Sequence, residues 1–236
     1  VTPPAQGDPS DLATLAREIA ACRACPRLVA WREAAAASAP ARFRGEPYWG
    51  RPVPGFGDPA ARILLVGLAP ARDGGNRTGR LFTGDRSGDF LFAALHRAGL
   101  ASQAASIART DGMVLRDAYL AAAVRCAPPG NRPQPDERDR CAPFLHREIR
   151  LLAHVRVIVA LGAFAWSAVL RALEAAGETV PRPRPRFSHG AATSTGRIHV
   201  LGAYHPSQQN TFTGRVTRAM LDDVLGRARD LASPGL

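Results

Sequence analysis

Four short apolar runs punctuate the chain: RILLVG (62–67), AYLAAAV (118–124), VRVIVALG (155–162) and RIHVLG (197–202). Each is short and nearly free of polar interruption, the pattern of a strand covered on both faces. Between and after them the apolar positions recur at helical spacing. In SGDFLFAALHRAGL (87–100), Phe90, Leu91, Leu95 and Leu100 fall on one side. PDERDRCAPFLHREIRLL (135–152) opens with an acidic first turn, with Asp136 as its expected cap. GAFAWSAVLRALEAAG (162–177) and TGRVTRAMLDDVLGRARDLA (213–232) complete the set, and DLATLAREIAAC (11–22) forms a helix ahead of the first strand. This alternation predicts a single doubly wound α/β domain with a central, mainly parallel four-stranded sheet flanked by helices. The domain is expected to span 1–236, with 1–10 and 233–236 as flexible ends.

In open sheets of this kind ligands bind beyond the carboxyl ends of the strands. Three glycine- or proline-rich loops follow strands: GLAPARDGG (67–75), RCAPPGNRP (125–133) and AYHPSQQN (203–210). They are therefore expected on one face. The first continues as GLAPARDGGNRTGRLFTGD (67–85), a glycine-rich turn between strand and helix, the usual setting for an anion. It has no lysine and so is not a P-loop, and its glycines do not follow the dinucleotide spacing. No nucleotide cofactor is expected. EPYWGRPVPGFGDP (46–59) and PRPRPRF (181–187) read as irregular loops.

Composition changes the picture in one respect. The 236 residues are 46% hydrophobic, enough for a sizeable core, but the formal net charge is +11 and every basic residue other than histidine is arginine. GC-rich codon usage explains arginine over lysine; the sign of the charge still favours a polyanionic partner, nucleic acid before an anionic membrane. No apolar run nears the ~20 residues of a membrane helix, and the N-terminal stretch lacks the order of a signal peptide. A monomeric protein of the cytoplasm, without a membrane partner, is expected.

The four cysteines are Cys22, Cys25, Cys126 and Cys141. The first two form a CxxC at a helix end, the third follows the second strand, and the fourth lies in the next helix. Four thiolates suit tetrahedral zinc or an iron–sulfur cluster, and spacing alone leaves the two open.

With these pieces placed, the sequence resembles the uracil-DNA glycosylase superfamily, and within it family 5. The first motif matches that family's GLAPA…NRTGR.FTGD, HPSQQN (205–210) matches its HPSxxN loop, and RCAPPGNRPQPDERDRC (125–141) is similar to a stretch shared by families 4 and 5, whose four cysteines hold a 4Fe–4S cluster. The resemblance runs from about residue 20 to 225. It implies flipping and excision of uracil from DNA in base excision repair, and of other deaminated bases such as hypoxanthine or xanthine. It also implies a 4Fe–4S cluster on Cys22, Cys25, Cys126 and Cys141, with zinc as the lesser alternative.

Physical chemistry supplies a task for each motif. A flipped base needs a stacking surface, and Phe82 fits, although a core phenylalanine is the competing reading. Gly67 and Ala69 open the pocket. His205 can donate to a base carbonyl and stabilise the departing anion. Asn131 has the donors and acceptors to pair with one edge of uracil, unless it is only a turn residue. Ser207, Gln208, Gln209 and Asn210 are expected to enter a DNA groove, and Arg77 and Arg80 to contact phosphates. Other families carry a polar residue early in the first motif, where this chain has Leu68 and Ala69, so the catalytic carboxylate must come from elsewhere. Asp85 is the first choice, with a helix cap as its competing role, and Asp73 the second. His96, His146, His154, His189 and His199 read as structural or surface residues. Two other classes compete: a non-catalytic, metal-stabilised nucleic-acid-binding module, favoured by the missing acid, and a metal-dependent phosphate hydrolase, disfavoured by the scarcity of paired carboxylates.

Overall fold

The computed structural model describes residues 9–233, so the expected flexible ends lie almost wholly outside the described residues. In chain order come α1 (Pro9–Ala21), α2 (Pro26–Ala37), β1 (Phe56–Gly57), β2 (Ile63–Gly67), α3 (Gly75–Thr78), α4 (Arg86–Arg97), β3 (Ala118–Ala122), α5 (Pro135–Leu151), β4 (Val157–Leu161), α6 (Ala163–Ala175), β5 (Ala192–Ser194), β6 (His199–Ala203), α7 (Gln208–Phe212) and α8 (Arg218–Ala232). The sheet has six strands, not four, in the order β1-β3-β2-β4-β6-β5. The four expected strands form its parallel centre, and two short antiparallel strands close its edges.

The alternation of side chains along each strand divides the core in two. Ile63, Leu65, Val157, Val159 and Leu201 pack with Leu91, Phe92 and Leu95 of α4 and Leu221, Val224 and Leu225 of α8. Leu64, Val66, Ile158 and Val200 point the other way, onto Leu145 and Ile149 of α5 and Trp166, Val169 and Leu173 of α6. Both faces are therefore covered, which is why the strands read as uninterrupted apolar runs.

The expected cap of α5 is corrected. Gln134, not Asp136, is its N-cap, and the Gln134 N–H donates to Glu137 Oε2 at 2.7 Å. Buried Glu137 also accepts two hydrogen bonds from Arg27 of α2, at 2.7 Å each, which joins the two helices. A third apolar cluster holds Cys25, Leu28, Val124, Cys126 and Cys141, with Ala69 packed against it.

Candidate active site

The order β3-β2-β4-β6 makes the chain change direction between β2 and β4, and the loops beyond the carboxyl ends diverge there. A cleft of about 560 Å³ lies at this end of the sheet. All three loops singled out in the sequence line it: Gly67, Leu68, Ala69 and Ala71 from the first, Gly130, Asn131 and Arg132 from the second, and His205, Ser207, Gln208 and Gln209 from the third. Leu81, Phe82, Asp85, Arg86 and Ser87 complete its wall.

Phe82 faces the cleft at the cost of an unusual backbone. Its φ is +53°, in the left-handed region that non-glycine residues seldom occupy. Such strain persists where the surroundings over-determine it, often at a ligand site. A Cβ at Gly67 would meet Phe82 Cζ at 2.7 Å, so the ring can come this close to the end of β2 only because residue 67 is glycine. A Cβ at Gly88 would run into the Phe82 carbonyl. The His205 ring lies 6.0 Å from that of Phe82, tilted by 32°.

His205 is half-buried, and desolvation lowers its pKa to about 4. It is therefore neutral near pH 7. The loop behind it is fixed: Asn210 Nδ2 donates to the His205 carbonyl at 2.8 Å, and Ser207 Oγ caps α7 by accepting from the Asn210 N–H. Asn210 therefore supports the loop from within, while Gln208 and Gln209 are exposed at the rim.

Asp85 combines two roles. Its Oδ1 accepts from the Gly88 N–H at 2.9 Å, so the helix cap is real. Its Oδ2 lies where a Cβ on Gly74 would overlap it, and the residue also lines the cleft. Burial pushes its carboxyl pKa up, against the pull of the Gly88 and Ser87 backbone donors. Asp73 does not line the cleft and is held by Arg42 at 3.0 Å. Asn131 is exposed at the mouth with φ +56°, as the turn reading required, yet it borders the cleft.

The two expected phosphate contacts are not brought to the cleft. Arg80 is 4% exposed; its Nη2 donates to both Asp111 oxygens, at 2.6 and 2.7 Å, and to Ser106 Oγ at 2.6 Å. Arg77 Nε donates to the Asp73 carbonyl at 2.8 Å, its guanidinium pairs with Glu46, and it stacks on Phe43. Both hold the loop together instead. The exposed cations lining the cleft are Arg86 and Arg132, which the motifs did not single out; for Arg86 the available signal was a cation directly following an N-cap.

The four cysteines surround one small cavity beside the cleft, with Arg32, Arg125 and Arg140 among its other lining residues. Arg32 Nη1 donates to Cys126 Sγ at 2.9 Å and the Arg125 N–H to Cys141 Sγ at 3.3 Å. Arg32 Nε is buried without a partner. Burial raises the thiol pKa values of Cys126 to about 11 and of Cys141 to about 12. Among the described residues, no three His, Cys, Asp or Glu side chains are grouped to hold a metal ion as they stand.

Known proteins are similar to this sequence over most of the chain. The family model described as the uracil DNA glycosylase superfamily matches residues 54–228. A type-5 uracil-DNA glycosylase of Mycobacterium bovis is 55% identical over 216 residues, 91% of this chain and 79% of the relative. One from Thermus thermophilus is 52% identical over 223 residues, 94% of this chain and 99% of the relative. A type-4 uracil-DNA glycosylase of Archaeoglobus fulgidus is 30% identical over 156 residues, 66% of this chain and 70% of the relative. The chain belongs to the uracil-DNA glycosylase superfamily, whose members hydrolyse the N-glycosidic bond of uracil in DNA.

Proposed function

We propose that this chain removes uracil from DNA by hydrolysis in the cleft at the carboxyl ends of β2, β3 and β6. The observation that carries the reading is the convergence of Phe82, Asp85, Asn131 and a neutral His205 on that one cleft. The flipped base stacks on Phe82. As the bond from C1′ to the base nitrogen breaks, its electron pair leaves with the base, and His205 donates its N–H to a ring carbonyl where negative charge gathers. A histidine with a pKa near 4 is a poor proton acceptor, and its neutral ring still offers one donor. The Asp85 carboxylate stabilises the cationic sugar and orients the water that adds to C1′; the water's proton passes to solvent or to the departing base. Asn131, free at the mouth, reads the base edge, and its amide can rotate to meet more than one pattern. A cleft of about 560 Å³ also leaves room for hypoxanthine or xanthine. Ser207, Gln208 and Gln209, with Arg86 and Arg132, face the DNA.

The cysteine cavity fits an iron–sulfur cluster in its donor set: four sulfurs, two already receiving N–H donors, and arginines to offset an anionic centre. Cys22, Cys25, Cys126 and Cys141 would hold it, and four filled positions make it a structural centre.

The test is single-turnover release of free uracil from a uracil-containing oligonucleotide, with Asp85→Asn and Asp85→Ala in parallel. Uracil and an abasic site should appear with the unaltered protein. Asparagine caps nearly as well as aspartate, so Asp85→Asn should slow release with little change in melting, while alanine also loses about 1 kcal/mol of stability. Full activity in Asp85→Asn would reduce Asp85 to a cap, and no uracil release from the unaltered protein would overturn the function.

A further inference from the structure

Three arginines are buried among the described residues: Arg32, Arg80 and Arg125. Arg80 is matched by Asp111 and Arg125 by Glu148. Arg32, on α2 and 2% exposed, has no carboxylate partner among the described residues; its guanidinium meets a sulfur and a carbonyl instead. A buried cation without a counter-charge is costly, so this one calls for an anion that the cysteine cavity can hold. Resting on the iron–sulfur reading above, we propose that Arg32 is a positioning residue of that centre: it donates to the Cys126 ligand sulfur, sets a buried positive charge against the anionic centre, and thereby fixes its reduction potential.

The guanidinium is fixed by its own fork. Nη1 donates to Cys126 Sγ at 2.9 Å and Nη2 to the Cys22 carbonyl at 3.1 Å, so one side chain spans two of the four cysteines. Its Nε is buried with no partner. Arginine is not deprotonated in proteins, so the charge is permanent, whereas thiols become anionic when they ligate. The backbone of residue 32 is held from the other side. Its carbonyl lies 3.5 Å from Nδ2 of Asn76, a fully buried residue of the NRTGR stretch, and the Asn76 N–H donates at 3.0 Å to the carbonyl of Ala71 in the cleft wall. Arg32 also lines a neighbouring pocket of about 460 Å³ beside Trp49 and Arg51, so it forms part of the partition between the cysteines and the surface.

A centre with no open coordination position can still gain an electron. Reduction adds one electron to a group that four thiolates already make anionic. Cations nearby and N–H donors to the ligand sulfurs therefore favour the reduced form and raise the potential. The electron comes from an external donor and stays on the iron and sulfide; no bond at Arg32 forms or breaks, and no proton leaves it. Burial makes this charge effective, because solvent screens it little. Arg140 lines the same cavity but is 49% exposed and paired with Asp136, so its charge is screened. The donor to Cys141 Sγ is the backbone N–H of Arg125, which no side-chain substitution removes. Arg32 is the side chain with most leverage on the centre.

The experiment is a redox titration of the brown protein, purified without oxygen, with iron and acid-labile sulfide measured on each sample. Arg32→Met keeps the length of the side chain and removes both donor and charge; Arg32→Lys keeps the charge and loses the fork. At the poise where the unaltered protein is half reduced, Arg32→Met should show a ratio of reduced to oxidised centre lower by about 10-fold or more, which is about 59 mV for a one-electron couple. Arg32→Lys should fall by less, and Arg140→Gln by less than about 3-fold. Should Arg32→Met take up no iron while Arg32→Lys loads fully with a potential near that of the unaltered protein, the charge at residue 32 is still what the centre needs. An unchanged or raised potential in a fully loaded Arg32→Met, or an equal fall in Arg140→Gln, would overturn the proposal. So would folded variants at residue 32 that all fail to load, since Arg32 would then serve assembly and not the potential. A colourless unaltered protein would overturn the iron–sulfur reading itself, and the role of Arg32 with it.

Discussion

Burial disfavours charge on both His205 and Asp85, and so moves their pKa values in opposite directions. For His205 the consequence can be measured. The unfolded histidine titrates near 6.5 and the folded one at about 4, so between these values only the unfolded chain takes up the proton. The contribution of neutral His205 to stability is complete above about pH 6.5 and is lost as pH falls towards about 4. His205→Ala should melt with a smaller change between pH 7 and pH 5 than the unaltered protein, and that difference separates His205 from the carboxylates. At pH 7 the same variant should release uracil on the order of 100-fold more slowly. A rate that falls as pH rises through about 6.5, instead of one that falls as pH drops towards about 4, would argue for a cationic histidine. HPSQQN, a long and specific motif, singled this residue out, and the structure brings it to the cleft. Arg77 and Arg80 belong to an equally specific motif, yet both are turned onto partners within the protein, because a motif does not say whether an arginine faces DNA or a carboxylate of its own chain. The deciding partner of Arg80, Asp111, lies 31 residues further on in a stretch with no pattern of its own.

Among the elements, the four central strands were legible because burial on both faces leaves an uninterrupted apolar run. The edge strands were not: Phe56–Gly57 is two residues long, and Ala192–Ser194 is half exposed and polar, so neither carries a period. Nor did PRLVAWREAAAA announce α2, whose alanine-rich sequence marks no single apolar face. The convergence of three loops was legible from topology alone, since parallel strands send their carboxyl ends to one side. What fixes the first loop is the Arg80–Asp111 pair, which ties it to the segment between α4 and β3. Burial pushes the Asp111 carboxyl up, but Arg80 and the N–H groups of Met113, Ile107 and Ala108 together hold it below the usual range. Removing the guanidinium would strand a buried carboxylate, so Arg80→Ala should cost about 3–5 kcal/mol in chemical denaturation. A phosphate contact would behave differently, leaving stability unchanged and weakening DNA binding in a salt-dependent way. The two outcomes decide whether this arginine serves the fold or the ligand.

Across the whole molecule, the four cysteines bring three parts of the chain to one cavity: the turn between α1 and α2, the exit from β3, and the middle of α5. Their cavity is backed by the buried Arg125–Glu148 pair, both 1% exposed, and touches the cleft through Ala69. The two cores on the faces of the sheet contain none of these cysteines. A cluster held there would therefore staple α2 to the sheet without being needed to form the sheet. Helix α1 has anchors away from the thiols, Leu12 in one core and the Glu18–Arg147 ion pair, whereas α2 meets them directly through Leu28 and the Arg32–Cys126 hydrogen bond, beside its Arg27–Glu137 pair. The protein purified without oxygen should accordingly be brown, with about four irons and about four acid-labile sulfides per chain. Chelation of the iron, or Cys126→Ala, should abolish the colour and raise amide exchange across residues 22–37 while β2, β3, β4 and β6 stay protected. Loss of protection throughout the sheet would make the centre a requirement of the whole fold. A colourless protein with one zinc per chain would replace the cluster by a single ion, and the same exchange experiment would then measure what that ion holds in place.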